Sequence, residues 1–217
     1  FVATSEELFG IEESAAPRGM VSAARDVLGT GRKAQRSVQE FYEPIVMPDL
    51  DIAVFGAGHV GTAVIATLAK LDCNIRWIDS RRNIFRDAFA NVRQIEAPEP
   101  SLEVAAMPPG SFYLVMTHSH ALDFDICDCI LRRPDAAYCG LIGSRSKRRR
   151  FEKRFRQQGL PQSVFDSLVC PIGVDGISGK KPAEIAIAVA AEILSHYERA
   201  QQRASGDLPN NVHPIRG

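Results

Sequence analysis

The chain has 217 residues, 45% of them hydrophobic and 24% charged, with 26 basic residues against 26 acidic ones. That length supports one sizeable domain plus an appendage, and zero net charge leaves no global field to draw in nucleic acid or a membrane surface. No apolar run approaches a membrane span and no signal peptide opens the chain. Five cysteines, an odd number set mostly among apolar neighbours, point to reduced thiols in a cytoplasmic protein rather than a disulfide framework.

Residues 1–48 differ from the rest. The chain opens on Phe1 rather than Met. Glu6, Glu7, Glu12 and Glu13 lead into a loop-like stretch ending at Pro17. Residues 20–29 carry a short amphipathic pattern that Gly29-Thr30-Gly31 stops, and residues 39–44 have β character before a linker at 44–48. This segment is too small for a core of its own and is expected to be the remnant or end of an upstream domain.

From residue 49 the pattern alternates. Strands are expected over 52–55, 74–78, 92–95, 111–117 and 136–142, with helices over 59–70, 83–88, 102–107, 120–132, 144–158 and 182–204. One or two further turns are expected over 160–168, a glycine loop over 171–181, and a flexible tail over 205–217. Alternating strands and helices predict an α/β fold: a doubly wound, mostly parallel Rossmann-type sheet over 49–204 with a short N-terminal appendage.

The chemistry-bearing residues fall at strand ends. Gly56-Ala57-Gly58-His59-Val60-Gly61 follows the first strand at once and opens a helix. On the usual division of labour Gly56 makes the turn, Gly58 lets a phosphate approach the backbone, and Gly61 packs helix on strand. Asp79, 18 residues past Gly61, ends the second strand where a ribose-binding acid belongs, and Arg81-Arg82 after it leaves NADP open beside NAD. Thr117-His118-Ser119-His120 leaves the fourth strand, so His118 and His120 either touch a ligand or cap the next helix. A metal there is not expected, because the motif lacks a third ligand at a firm spacing. Gly143-Ser144-Arg145 repeats the strand–glycine–helix logic, with Ser144 and Arg145 able to cap the helix or to hold an anion. The basic run from Lys147 to Arg156 reads first as a solvated helix face and second as an attractor for an acidic partner, with Phe151 and Phe155 turned to the core. Cys127 and Cys129 point to different sides of a helix and read as packing residues. Cys170 is the plausible reactive thiol.

Five segments taken together resemble the xanthine dehydrogenase accessory protein (XdhC/CoxI) family. They are Phe55–Gly61, Trp77–Arg81, Val115–Asp123, Gly140–Phe151 and Pro171–Ala186, in one order over Asp49–Glu198. The match covers that family's carboxyl-terminal Rossmann domain, and residues 1–48 resemble at most the last segment of its amino-terminal domain. The resemblance implies a molybdenum-cofactor (molybdopterin) chaperone rather than a catalyst. Such a protein holds the pterin while a cysteine desulfurase installs sulfur and delivers it to a xanthine dehydrogenase-type apoenzyme. A homodimer is the family expectation. Candidate cofactor-binding residues are then Gly56, Gly58, His59, Gly61, Asp79, His118, His120, Gly143, Ser144, Arg145 and Gly173. An NAD(P)-dependent oxidoreductase or a nucleotide-sensing module is the competing reading of the same residues.

Overall fold

The computed structural model describes residues 49–204, together with short pieces of the first 48 residues at 2–3, 8–9, 21–22, 25, 35–36 and 41–42. The chain divides into two compact units, Phe1–Met47 and Pro48–Gly217. In the first, Val2–Ala3 pairs antiparallel with Leu8–Phe9, and Gln35–Arg36 pairs antiparallel with Phe41–Tyr42. Val21, Ser22 and Arg25 are helical. The tail expected over 205–217 lies outside the described residues.

The second unit carries six strands: β1 (Asp51–Phe55), β2 (Asn74–Asp79), β3 (Val92–Glu96), β4 (Phe112–Val115), β5 (Tyr138–Leu141) and β6 (Leu168–Val169). All pair in parallel in the order β6-β5-β4-β1-β2-β3. This is the doubly wound Rossmann order, with its switch point between β1 and β4. Helices α1 (His59–Leu68) and α5 (Pro182–Ala204) cover one face. Helices α2 (His120–Leu131), α3 (Arg145–Gln157) and α4 (Gln162–Asp166) cover the other.

Alternation along β1 explains the two-faced core. Ile52 and Val54 point into a layer with Val64, Ile65 and Leu68 of α1 and Ala186, Val189 and Ile193 of α5. Ala53 and Phe55 point the other way, against Phe124 and Ile126 of α2 and Phe151 and Phe155 of α3. Strands buried on both sides read as continuous apolar runs, as Phe112–Val115 does. Among the described residues no helix is long and apolar enough to cross a membrane.

Three expectations are corrected. No helix forms over 83–88; that stretch is irregular, and Asn83 turns it at φ +54°. The helix expected at 102–107 is a short 3-10 turn over Pro100–Val104. The turn expected over 160–168 forms as α4, Gln162–Asp166, and Leu168–Val169 just after it adds a sixth strand that was not expected.

Candidate functional site

The three glycines of the first turn do three different jobs. Gly56 sits at φ +115°, and a Cβ there would lie 2.3 Å from the Met116 carbonyl oxygen. Only glycine fits both the backbone and the space. A Cβ on Gly61 would lie 2.0 Å from the Gly56 carbonyl oxygen, so Gly61 sets how closely α1 approaches β1. Gly58 is different. Its φ of −82° suits any residue, and a Cβ there would meet nothing within 4 Å. It caps α1 without a side-chain bond, and no acidic residue lies in the first turn. The positive end of α1 and its unpaired N–H groups therefore face open space.

That space is a cleft of about 520 Å³ lined by Ala57, Gly58, His59, Thr62, Trp77, Arg81, Ile84, Arg86 and Asp87. The volume lies in the range of small-molecule sites. Trp77 is 1% exposed and donates its indole N–H to the Gly56 carbonyl at 3.1 Å, which steadies the glycine turn from behind.

Asp79 lies at the end of β2, as the spacing predicts, but its carboxylate is fully engaged. The Ala57 N–H donates to Oδ2 at 2.7 Å and Arg81 Nη2 to the same oxygen at 2.8 Å. The N–H and Nε of Arg81 both donate to Oδ1 at 2.9 Å. Burial disfavours the charged form, but the bonds from the Arg81 side chain, its N–H and the Ala57 N–H outweigh that and hold the Asp79 carboxyl below its ordinary value. A carboxylate whose folded pKa is depressed contributes stability above its unfolded pKa of about 3.9, and loses it as pH falls through the lower folded value. Asp79→Asn is therefore expected to be less stable than the wild type at pH 7, with the gap closing below about pH 4. Urea unfolding at the two pH values measures it, and a gap independent of pH would refute the assignment.

The next strand ends carry a second network. Asp123 is fully buried and Lys147 is 5% exposed; Lys147 Nζ donates to Asp123 Oδ2 at 2.6 Å and to the Ile142 carbonyl at 2.8 Å. Asp123 Oδ1 accepts from the Thr117 hydroxyl at 2.7 Å and the Thr117 N–H at 2.9 Å. These bonds lock the turn after β4 to the turn after β5. The turns leave adjacent parallel strands, which lie about 5 Å apart.

Around this lock the candidate residues separate. His118 is exposed and lines a narrow crevice with Ile78, Asp79, Ser80, Pro100, Thr117 and Leu122. His120 is exposed at the first position of α2, and Ser119, not a histidine, caps that helix by accepting from the Leu122 N–H. Ser144 accepts from the Lys147 N–H and caps α3; Arg145, exposed, begins that helix. Gly143, at φ +158°, faces the Lys147 stem, where a Cβ would lie 2.5 Å from Cδ. Gly173 is committed to the fold: its N–H donates to Glu192 Oε2 at 2.8 Å, and a Cβ would lie 3.0 Å from Ala188 Cβ. The structure thus brings Gly58 and His59 together in the α1 cleft, while Asp79 and His118 share the crevice beside it.

Sequence comparison now identifies the scaffold. The XdhC Rossmann domain family matches residues 52–193. The chain belongs to this family. Over 147 residues it is 30% identical to Uncharacterized protein YqeB of Escherichia coli (strain K12), covering 66% of this chain and 26% of that protein. It also resembles a solved xanthine dehydrogenase from Bacillus halodurans at 25% identity and a TM-score of 0.60, covering 76% of this chain and 46% of that one. The chain therefore spans about a quarter of the first relative and under half of the second.

Within this XdhC-type domain, two residues with structural command of the site escaped the sequence reading. Lys147 was expected on a solvated face and is buried; nothing in a run of like charges marks which one turns inward. Asp123 ends the Val115–Asp123 segment, and nothing there points to Lys147, 24 residues on, as its partner. Cys170 also departs from expectation. It is buried, and that burial pushes its thiol up to about 11, so it is not a thiolate at neutral pH. Cys127 is buried and packs as expected, but Cys129, on the opposite side of α2, is exposed, which corrects its reading as a packing residue.

Proposed function

We propose that this domain serves as a molybdenum-cofactor binding and insertion factor for a xanthine dehydrogenase-type molybdoenzyme. Family membership supports an XdhC-like accessory role. The observation that carries the binding claim is Gly58: an uncapped helix N-terminus, with no side chain in front of it, opens on a cleft of about 520 Å³. The molybdenum cofactor is an anionic pterin with a phosphate, and that donor set fits the phosphate. Gly58, His59 and Arg81 would hold the anionic end; His118 and Arg145 would supply donors further along the same sheet edge. When bound, the cofactor supplies the metal chemistry of the target enzyme, and this chain's residues hold and orient it. A cytoplasmic homodimer that meets the apoenzyme and a cysteine desulfurase completes the proposal.

The test is retention of isolated molybdenum cofactor by the purified chain in anaerobic gel filtration, followed by activation of a xanthine dehydrogenase-type apoenzyme. Co-elution and faster activation with the chain present are expected. Cofactor that elutes alone, with activation unchanged, would sink the proposal.

A second reading, a nucleotide-binding module, is favoured by one observation: two arginines, Arg81 and Arg86, line the same cleft.

A further inference from the structure

The α1 cleft has a charge pattern unlike that of a site built for a bare ribose. A dinucleotide site of the NAD type presents a carboxylate at the end of β2 to accept both ribose hydroxyls. Asp79 stands at that position, but a carboxylate offers about four acceptor positions, and Ala57 and Arg81 fill them with four donated bonds. At 3% exposure it has no free face for a diol.

What the cleft presents instead is cationic. Of a guanidinium's five N–H donors, Asp79 takes one from Nε and one from Nη2 of Arg81. The remaining three belong to a side chain 39% exposed on the cleft wall. Arg86 lines the same wall, and among the described residues it makes no hydrogen bond or ion pair. Asp87 is the carboxylate on that wall.

The loop that carries these arginines is held in place. Asn83, in the left-handed region at φ +54°, donates its N–H to Glu96 Oε1 at 2.7 Å. The Gln94 side chain donates to the Asp87 carbonyl. Both bonds tie the loop backbone to β3, so the chain that carries the arginines is in place before a ligand arrives. Ile84, half-buried, adds apolar wall for a flat ring.

We infer that this cleft takes a 2′-phosphorylated dinucleotide of the NADP class in preference to NAD. The pyrophosphate would lie on the N-terminus of α1 at Gly58, and the 2′-phosphate at the Arg81–Arg86 end. Asp79 does not touch the ligand; it fixes the Arg81 fork. The inference rests on the second reading above, a nucleotide in the Gly58 cleft, and uses Gly58 and Arg81, the residues the first reading gives to the molybdenum cofactor.

Isothermal titration of the full chain with NADP+ and with NAD+ tests it, with quenching of Trp77, the single tryptophan of the chain, as a second readout. NADP+ is expected to bind at least about tenfold more tightly, the scale of one charge-assisted phosphate contact. Arg86→Ala should lower NADP+ affinity more than NAD+ affinity, bringing the ratio towards one. Equal affinities in the wild type, tighter NAD+, a ratio unchanged in Arg86→Ala, or no binding of either nucleotide would each overturn the inference. Because both readings use Gly58 and Arg81, the two ligands would compete for one cleft. NADP+ titration without cofactor and cofactor retention without nucleotide are measured separately, so each reading can fail while the other stands.

Discussion

Gly58→Val is expected to abolish ligand binding in the α1 cleft, by about a hundredfold or more in affinity, while the protein stays folded. The physical case is the contrast among three glycines. At Gly58 the backbone suits valine and a Cβ has open space around it. The loss of fold stability is therefore no more than about 1 kcal/mol, the scale of an N-cap change. The new methyls would occupy the space in which an anion must approach the first N–H groups of α1. The same change at Gly56 or Gly61 would drive a Cβ to 2.3 or 2.0 Å from a carbonyl oxygen and disrupt the fold itself. Melting curves paired with ligand titration separate the two effects. A folded Gly58→Val protein that binds as the wild type does would remove the cleft from consideration.

Lys147→Met is expected to lower stability by roughly 3–5 kcal/mol, the usual result of stripping one partner from a buried ion pair. For a domain of this size that is a fall in Tm of about 6–20 °C. The cost comes less from lost attraction than from what remains: Asp123, fully buried, with only Thr117 bonded to it. The double variant Asp123→Asn with Lys147→Met should therefore be more stable than Lys147→Met alone. A Lys147→Met protein that melts within a degree or two of the wild type would show that this pair does not secure the turns after β4 and β5.

Much of this architecture was readable because its signals are local. Apolar runs with turn residues at both ends located five strands. The glycine spacing located the turn after β1, and Asp79 fell at its strand end. What stayed hidden depends on distance in space. Leu168–Val169 is a strand only because β5 offers it partners, and two residues carry no periodicity. Asp79 has the right place for a ribose contact, yet Arg81 two residues on consumes it, which no spacing announces. Lys147 looks like its neighbours in sequence and differs only in which way its Cβ points. Arg86 sat in a stretch expected to be helical, so its place on the cleft wall depended on a turn at Asn83 that composition did not reveal.

The two margins of the sheet carry a consequence for how copies of this domain can associate. At one margin β3 exposes Arg93, Gln94 and Glu96 along a five-residue strand. At the other, β6 offers only two residues of ladder. Charged side chains on one edge and extreme shortness on the other are both safeguards against strand-to-strand accretion. Among the described residues, neither margin of this sheet therefore offers the long, flat, apolar edge that a second copy could extend as a β-ribbon.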